Sequence, residues 1–228
     1  MSKKAAIYQY LKQQQMLYGD ELYLSVKPSL TRNKTDSGNP SCSELDLNTF
    51  HDSVRECQAC HLGETRTKFV FGVGDANANL LLVGEAPGAQ EDLEGEPFVG
   101  RAGKLLDKIL TAIDCQREKG VYITNVLKCR PPNNRDPLPS EVEKCESILK
   151  EQIRLIQPKL IVALGRVAGK TLLKKDIPLK SMRGKTHDYA GVPLMVTYHP
   201  AALLRNPGLK TTAWEDFQWI RDFINNTS

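Results

Sequence analysis

Four short apolar runs stand out along the chain: Asn79–Val83 (NLLLV), Val121–Asn125 (VYITN), Lys159–Leu164 (KLIVAL) and Pro193–Tyr198 (PLMVTY). Runs of this kind predict strands buried on both faces. Helix-like stretches lie between and after them, at 102–114, 140–156, 166–174 and about 211–225. The alternation predicts an α/β fold of three layers, α/β/α, with a parallel sheet covered on both faces. In such sheets ligands bind at the carboxyl ends of the strands. The loops that fall there are GEAPGAQED, the segment from Asn125 through KCRPPNNRDP, GRVAG and HPAALLRNP. These hold the polar, Gly- and Pro-rich segments, so that edge is the predicted site.

The start of the chain follows another pattern. Residues 3–23 predict a short helix with irregularly spaced apolar residues, and residues 27–48, rich in Ser, Asn, Thr and Pro, predict a linker. The expected division is 1–49, a helical extension with a polar linker, and 50–228, the α/β domain.

Composition narrows the setting. The 228 residues are 40% apolar and 25% charged, ordinary for a globular chain. No run of eighteen apolar residues occurs, so no membrane partner is expected, and the first residues lack the apolar core of a signal peptide. A cytoplasmic location is the resulting expectation. A net charge of +4 decides little, but residues 165–185 hold seven Lys or Arg against one acid, Asp176. Such a patch either pairs with phosphates or is a solvated face.

Six cysteines lie at 42, 57, 60, 115, 129 and 145. Without signs of export, metal ligation is the better reading than disulfides. Cys57 and Cys60 form a C-x-x-C; Cys129 and Cys145 are separated by fifteen residues. Together they predict a closed tetrathiolate, with Zn²⁺ or an iron–sulfur cluster equally compatible with the spacing. Such a site is expected to be structural, tying the N-terminal helix to the long loop after the second strand. Cys115 reads as a small buried hydrophobe, Cys42 stays open, and His61 is a spare ligand.

Several segments follow one another along the chain: Gly84-Glu85-Ala86-Pro87-Gly88, then Glu96-Pro97-Phe98-Val99-Gly100-Arg101-Ala102-Gly103, then Thr124-Asn125-Val126-Leu127-Lys128-Cys129-Arg130-Pro131-Pro132, and finally His199-Pro200-Ala201-Ala202-Leu203-Leu204-Arg205. With the four-cysteine spacing, they resemble the family 4 uracil-DNA glycosylases, the iron–sulfur branch of the uracil-DNA glycosylase superfamily. The resemblance spans roughly residues 50–226. It implies a four-stranded parallel sheet between helices, a [4Fe–4S] cluster on Cys57, Cys60, Cys129 and Cys145, and uracil-containing DNA, single- or double-stranded, as the partner of a monomer.

By the same resemblance, Glu85 positions the attacking water and Ala86 beside it belongs to the base-binding set, although many relatives carry Gly there. Glu91 crowds the C5 position against thymine's methyl group, and Phe98 stacks on the flipped base. Asn125, whose amide both donates and accepts, suits the N3–H and O4 edge of uracil. His199, as a neutral imidazole, donates to O2 of the leaving base. Leu203 or Leu204 is the wedge that fills the vacated stack, and Arg205, Lys128 and Arg130 contact DNA. Without this context each has a plainer reading: a helix-capping Glu85, an Asx turn at Asn125, a core Phe98, a structural His199. No Lys occupies a motif position suited to a Schiff base, so simple hydrolysis is expected. A non-catalytic nucleic-acid-binding protein and a zinc protein of similar shape are the competing expectations.

Overall fold

A computed structural model describes residues 46–227. The expected helix over 3–23, Cys42 and nearly all of the 27–48 linker lie outside the described residues. The first described helix, α1, spans Leu47–Val54, and Asp46 caps it by accepting from the Thr49 N–H at 2.7 Å. It therefore begins inside the tail of the expected linker.

The remaining elements alternate as the apolar pattern predicts. A short helix α2 (Leu62–Thr65) leads to β1 (Val73–Gly74) and β2 (Leu80–Gly84). Then come α3 (Ala89–Glu94), α4 (Arg101–Ala112), β3 (Val121–Asn125), α5 (Pro139–Ile156) and β4 (Leu160–Leu164). They are followed by α6 (Arg166–Leu173), α7 (Leu179–Met182), β5 (His187–Tyr189), β6 (Val192–Thr197), α8 (Pro200–Arg205) and α9 (Lys210–Asn226).

The expected four-stranded parallel sheet needs correction. Among the described residues the sheet is mixed and has six strands, in the order β1-β3-β2-β4-β6-β5. The four expected strands form its parallel centre. The two added strands, β1 and β5, pair antiparallel at either edge. Being two and three residues long and only partly buried, they carry no apolar run that sequence reading could detect.

Every residue of β2, β3 and β4 is buried, as expected for parallel strands with both faces covered. The faces alternate with period two. Leu81, Val83, Ile161, Ala163, Leu194 and Val196 pack with Phe50, Ile148, Leu149, Ile153 and Leu172 from α1, α5 and α6. Leu80, Leu82, Ile123, Val162 and Met195 pack with Leu106, Leu110, Phe217 and Ile220 from α4 and α9, and Cys115 joins this second core as expected.

The strand order fixes where a ligand can sit. From β2 the chain builds outward to β3 on one side and to β4 and β6 on the other. At such a switch point the following loops diverge and leave a crevice at the carboxyl edge.

Candidate active site

A cavity of about 620 Å³ occupies that crevice, within the range of small-molecule sites. Glu85, Phe98, Asn125 and His199, from four separate segments, all line it. Glu85 directly follows β2, Asn125 ends β3, and His199 follows β6 and serves as N-cap of α8. Ala86, Glu91 and Arg205 are also in the lining.

Phe98 is the most constrained of these residues. It adopts a left-handed backbone (φ 57°), unfavourable for a bulky side chain and worth about 1–3 kcal/mol of strain. Arg117, half-buried behind it, donates to the Pro97 carbonyl at 2.9 Å and the Phe98 carbonyl at 2.6 Å, while its Nε pairs with Asp107. A β-carbon at Gly103 would collide with the Phe98 carbonyl, and one at Gly84 would strike both the Phe98 ring and Asn125 Oδ1. Two glycines thus let ring and amide close over the end of β2. Neither Arg117 nor these packing roles were foreseen from the sequence. An Arg117→Ala enzyme is expected to lose up to about 100-fold in kcat/KM, because small misplacements near reacting atoms are costly. Arg117→Lys should recover only part, since an ammonium lacks the planar fork. Steady-state kinetics on both variants check this.

Glu91 lines the cavity and also holds this loop. Its Oε1 accepts from the Val99 N–H at 3.1 Å and the Gly100 N–H at 3.2 Å, at the start of α4. The carboxylate therefore caps that helix as well as facing the cavity.

Hydrogen bonding defines the chemistry of His199. Its Nδ1 accepts from the Ala201 N–H at 3.1 Å, which leaves the ring's proton on Nε2. Burial, reinforced by Arg205, lowers its pKa to about 4, against a weaker opposing pull from Glu91. The ring is thus a neutral imidazole with a free Nε2–H at neutral pH. It lies against Phe98, ring centroids 5.4 Å apart. Asn125 is 2% exposed and lines the cavity; its side-chain amide engages none of the hydrogen bonds among the described residues, so its polar atoms are left open to the cavity.

Glu85 differs from an ordinary carboxylate. Burial, with a contribution from nearby Asp136, raises its pKa to about 7, against a smaller opposing effect of Arg166. Both neighbours line the cavity and face each other as an ion pair at 3.7 Å. They were not singled out in the sequence, although both sit in the expected carboxyl-edge loops.

The chain matches the uracil DNA glycosylase superfamily over residues 71–218. It is 46% identical over 185 residues to the type-4 uracil-DNA glycosylase of Archaeoglobus fulgidus, covering 76% of this chain and 92% of that protein. It is 42% identical over 189 residues to that of Saccharolobus solfataricus, covering 79% and 88%. It is also 42% identical over 177 residues to that of Thermotoga maritima, covering 76% and 92%. The chain belongs to the uracil-DNA glycosylase superfamily, in its type-4 branch. Within this glycosylase fold, the remaining expected site residues separate into two groups.

Two of the expected DNA contacts are corrected. Lys128 is 0% exposed. Its Nζ donates to Thr124 Oγ1 at 2.6 Å, the Asn125 carbonyl at 2.7 Å and Gln152 Oε1 at 2.7 Å. It cannot meet a phosphate; it braces the end of β3 beneath Asn125. Leu203 is 1% exposed, because α8 turns it inward with Pro200, three residues before it. Leu204, 37% exposed, is on the outside. Arg205 is exposed at the cavity rim, and Arg130 is half-buried, donating to Asn134 Oδ1 at 2.8 Å.

The basic stretch 165–185 is partly neutralised. Arg166, Lys170, Lys174 and Arg183 pair with Asp136, Asp176, Glu146 and Asp216. Lys175, Lys180 and Lys185 have no such partner among the described residues.

The four expected cysteine ligands of this glycosylase are free thiols that converge on one region. Cys129 lies within electrostatic reach of Cys57 and Cys60, and Cys145 within reach of Cys60 and Cys129. Two N–H···S contacts are made, from Arg66 Nη1 to Cys129 at 3.3 Å and from the Ala59 N–H to Cys57 at 3.5 Å. Burial pushes the Cys145 thiol up to about 11 and raises that of Cys129 too. No group of three or more His, Cys, Asp or Glu side chains among the described residues is arranged to hold a single metal ion. His61 instead contacts Glu141 at 3.2 Å. That buried glutamate also receives Arg135, so it joins the C-x-x-C segment to a loop lining the cavity.

Proposed function

We propose that this chain extrudes uracil from DNA and hydrolyses its N-glycosidic bond, releasing the free base and leaving an abasic site, the first step of base excision repair. The observation that carries the reading is that a carboxyl group, an amide, an aromatic ring and an imidazole, far apart in sequence, line one cavity. The type-4 uracil-DNA glycosylases similar to this chain support it. Extrusion costs a few kcal/mol, least at a mispaired base such as uracil opposite guanine.

In this reading the base stacks on Phe98. Asn125 accepts from N3–H through Oδ1 and donates to O4 through its amide nitrogen, a pattern that cytosine mismatches. As the bond to the sugar breaks, its electron pair moves into the uracil ring and negative charge collects on O2. The Nε2–H of His199 donates to that oxygen. A neutral donor suffices, because the work is stabilisation of charge rather than proton transfer. Glu85, as a carboxylate, orients the water and accepts its proton while offsetting the positive charge on the sugar. Glu91 and Ala86 shape the wall near C5, Leu204 fills the vacated stack, and Arg205 and Arg130 meet the backbone. No lysine lines the cavity among the described residues, in keeping with hydrolysis without strand cleavage. We assign the activity to residues 50–228 acting as a cytoplasmic monomer. No described helix is long and apolar enough to cross a membrane.

The donor set fits a [4Fe–4S] cluster held by Cys57, Cys60, Cys129 and Cys145. The four are free thiols, two of them receive N–H···S bonds, and a bound cluster would displace to solvent the protons that burial holds on Cys129 and Cys145. A cluster bound there would cross-link the C-x-x-C segment, the loop after β3 and the first turns of α5. The purified protein is expected to be brown, with roughly four iron atoms per chain. Cys129→Ser should lose that iron and unfold at lower temperature. A colourless zinc-loaded preparation would contradict the assignment.

The decisive assay measures free uracil from single-stranded and U·G duplex oligonucleotides. No release from either substrate by the iron-loaded protein would refute the proposed activity.

A further inference from the structure

A second groove, of about 380 Å³, runs between α7, the turn before β5, and α9. It is lined by Lys180, Arg183, Lys185, Glu215, Asp216 and Trp219, with four further residues. We propose that this groove holds a stretch of unpaired DNA flanking the extruded uracil, with phosphates on Lys180 and Lys185 and a base stacked on Trp219. The inference rests on the glycosylase reading and adds to it a preference for single-stranded flanks.

Three observations carry it. First, the groove adjoins the active site: Leu179 lines the catalytic cavity, and the next residue, Lys180, lines the groove. Arg183 further lies over the Tyr198 ring at 4.5 Å, one residue before His199. A strand threaded past His199 therefore meets the groove without leaving the surface. Second, the groove offers uncommitted positive charge. Arg183 and Asp216 neutralise each other at 2.8 Å, but Lys180 and Lys185 have no acidic partner among the described residues. Among the described residues, Glu215 is the one opposing charge left in the lining. Third, Trp219 is 40% exposed, one of few large apolar side chains open to solvent among the described residues. Phe223 stacks against it from within the same helix, centroids 5.1 Å apart, which holds the indole in place. A fixed exposed ring beside unpaired cations is the arrangement that binds single strands, since every unpaired base has a face to stack while bases in a duplex do not.

Binding of a fluorescent twelve-residue thymidine oligonucleotide, which contains no uracil, tests the groove apart from base release. Trp219→Ala is expected to weaken it about fivefold or more, and to leave affinity for a blunt duplex unchanged. The double variant Lys180→Gln, Lys185→Gln should lower the slope of log K against log salt by about 1.4, two phosphates' worth. Glu215→Gln should tighten binding. The chain has two tryptophans, Trp214 and Trp219, so quenching by the oligonucleotide should largely disappear in Trp219→Phe. Unchanged single-strand affinity in Trp219→Ala would overturn the proposal, and an equal loss on duplex would overturn the single-strand assignment. Neither outcome touches the glycosylase reading, which stands or falls on uracil release.

Discussion

A His199→Ala enzyme is expected to bind uracil-containing DNA nearly as well as the parent and to turn it over about 10²–10³-fold more slowly. The size follows from the role proposed for the side chain. In the resting site its Nε2–H faces the cavity, and its Nδ1 is committed to the Ala201 N–H. Substrate O2 is a weak acceptor; the departing anion is a strong one. The interaction therefore grows as the bond breaks and acts mainly on kcat. Because the pKa of the ring is lowered to about 4, turnover should show no histidine limb above about pH 5. Single-turnover rates and anisotropy titrations with a non-cleavable uracil analogue separate the two effects. Turnover comparable to the parent would mean that another donor stabilises the anion.

The second large effect falls on Glu85. Glu85→Gln is expected to lower kcat by about 10²–10⁴-fold, the usual range for loss of a positioned base. The pH profile gives the more specific signature. Burial and Asp136 raise this carboxyl to about 7, so the competent carboxylate disappears as pH falls through that value. The parent's kcat/KM should therefore fall about tenfold per unit below pH 7, and the variant should lack that limb. Stability moves in the opposite sense. Between the ordinary glutamate value of 4.5 and about 7, the folded state holds a proton that the unfolded chain releases, so folding weakens as pH rises through this window. Above it the penalty is fully present, and Glu85→Gln should melt higher than the parent at pH 8 but not at pH 4. A flat activity profile across pH 5–8 would remove Glu85 from the role of base.

The two variants also explain why the site is built as it is. A carboxylate that resists ionisation and an imidazole that resists protonation both result from the same burial at the switch point. Asp136 and Arg166 then adjust Glu85 in opposite directions from the cavity rim.

Much of this was legible in the chain. The four apolar runs became the four parallel strands, and the loops expected at their carboxyl ends line the cavity. The edge strands were not legible, because two or three half-buried residues leave no periodic signal. Lys128 was misread for a different reason. A lysine among Arg, Pro and Asn in a loop looks solvent-exposed, yet it follows β3 closely enough to be drawn under the sheet. Its acceptor Gln152 was the available clue: a glutamine amid Ile148, Leu149, Ile153 and Ile156 on the buried face of α5 requires a buried polar partner. Leu203 and Leu204 show the same limit, since the helical turn that separates their directions belongs to α8 and not to the pair.

What the sequence by itself determined is the layering, the edge on which chemistry occurs, and the kinds of groups found there. Those follow from which segments must be buried and which must turn, properties written locally in composition. Only the tertiary structure decided which nitrogen of His199 carries the proton, why Glu85 titrates near neutrality, how Arg117 holds Phe98 in a strained backbone, and which of two adjacent leucines faces outward. Each of these depends on groups distant along the chain or on the direction a turn imposes, and on the loss of water when they meet; neither is encoded in any short segment.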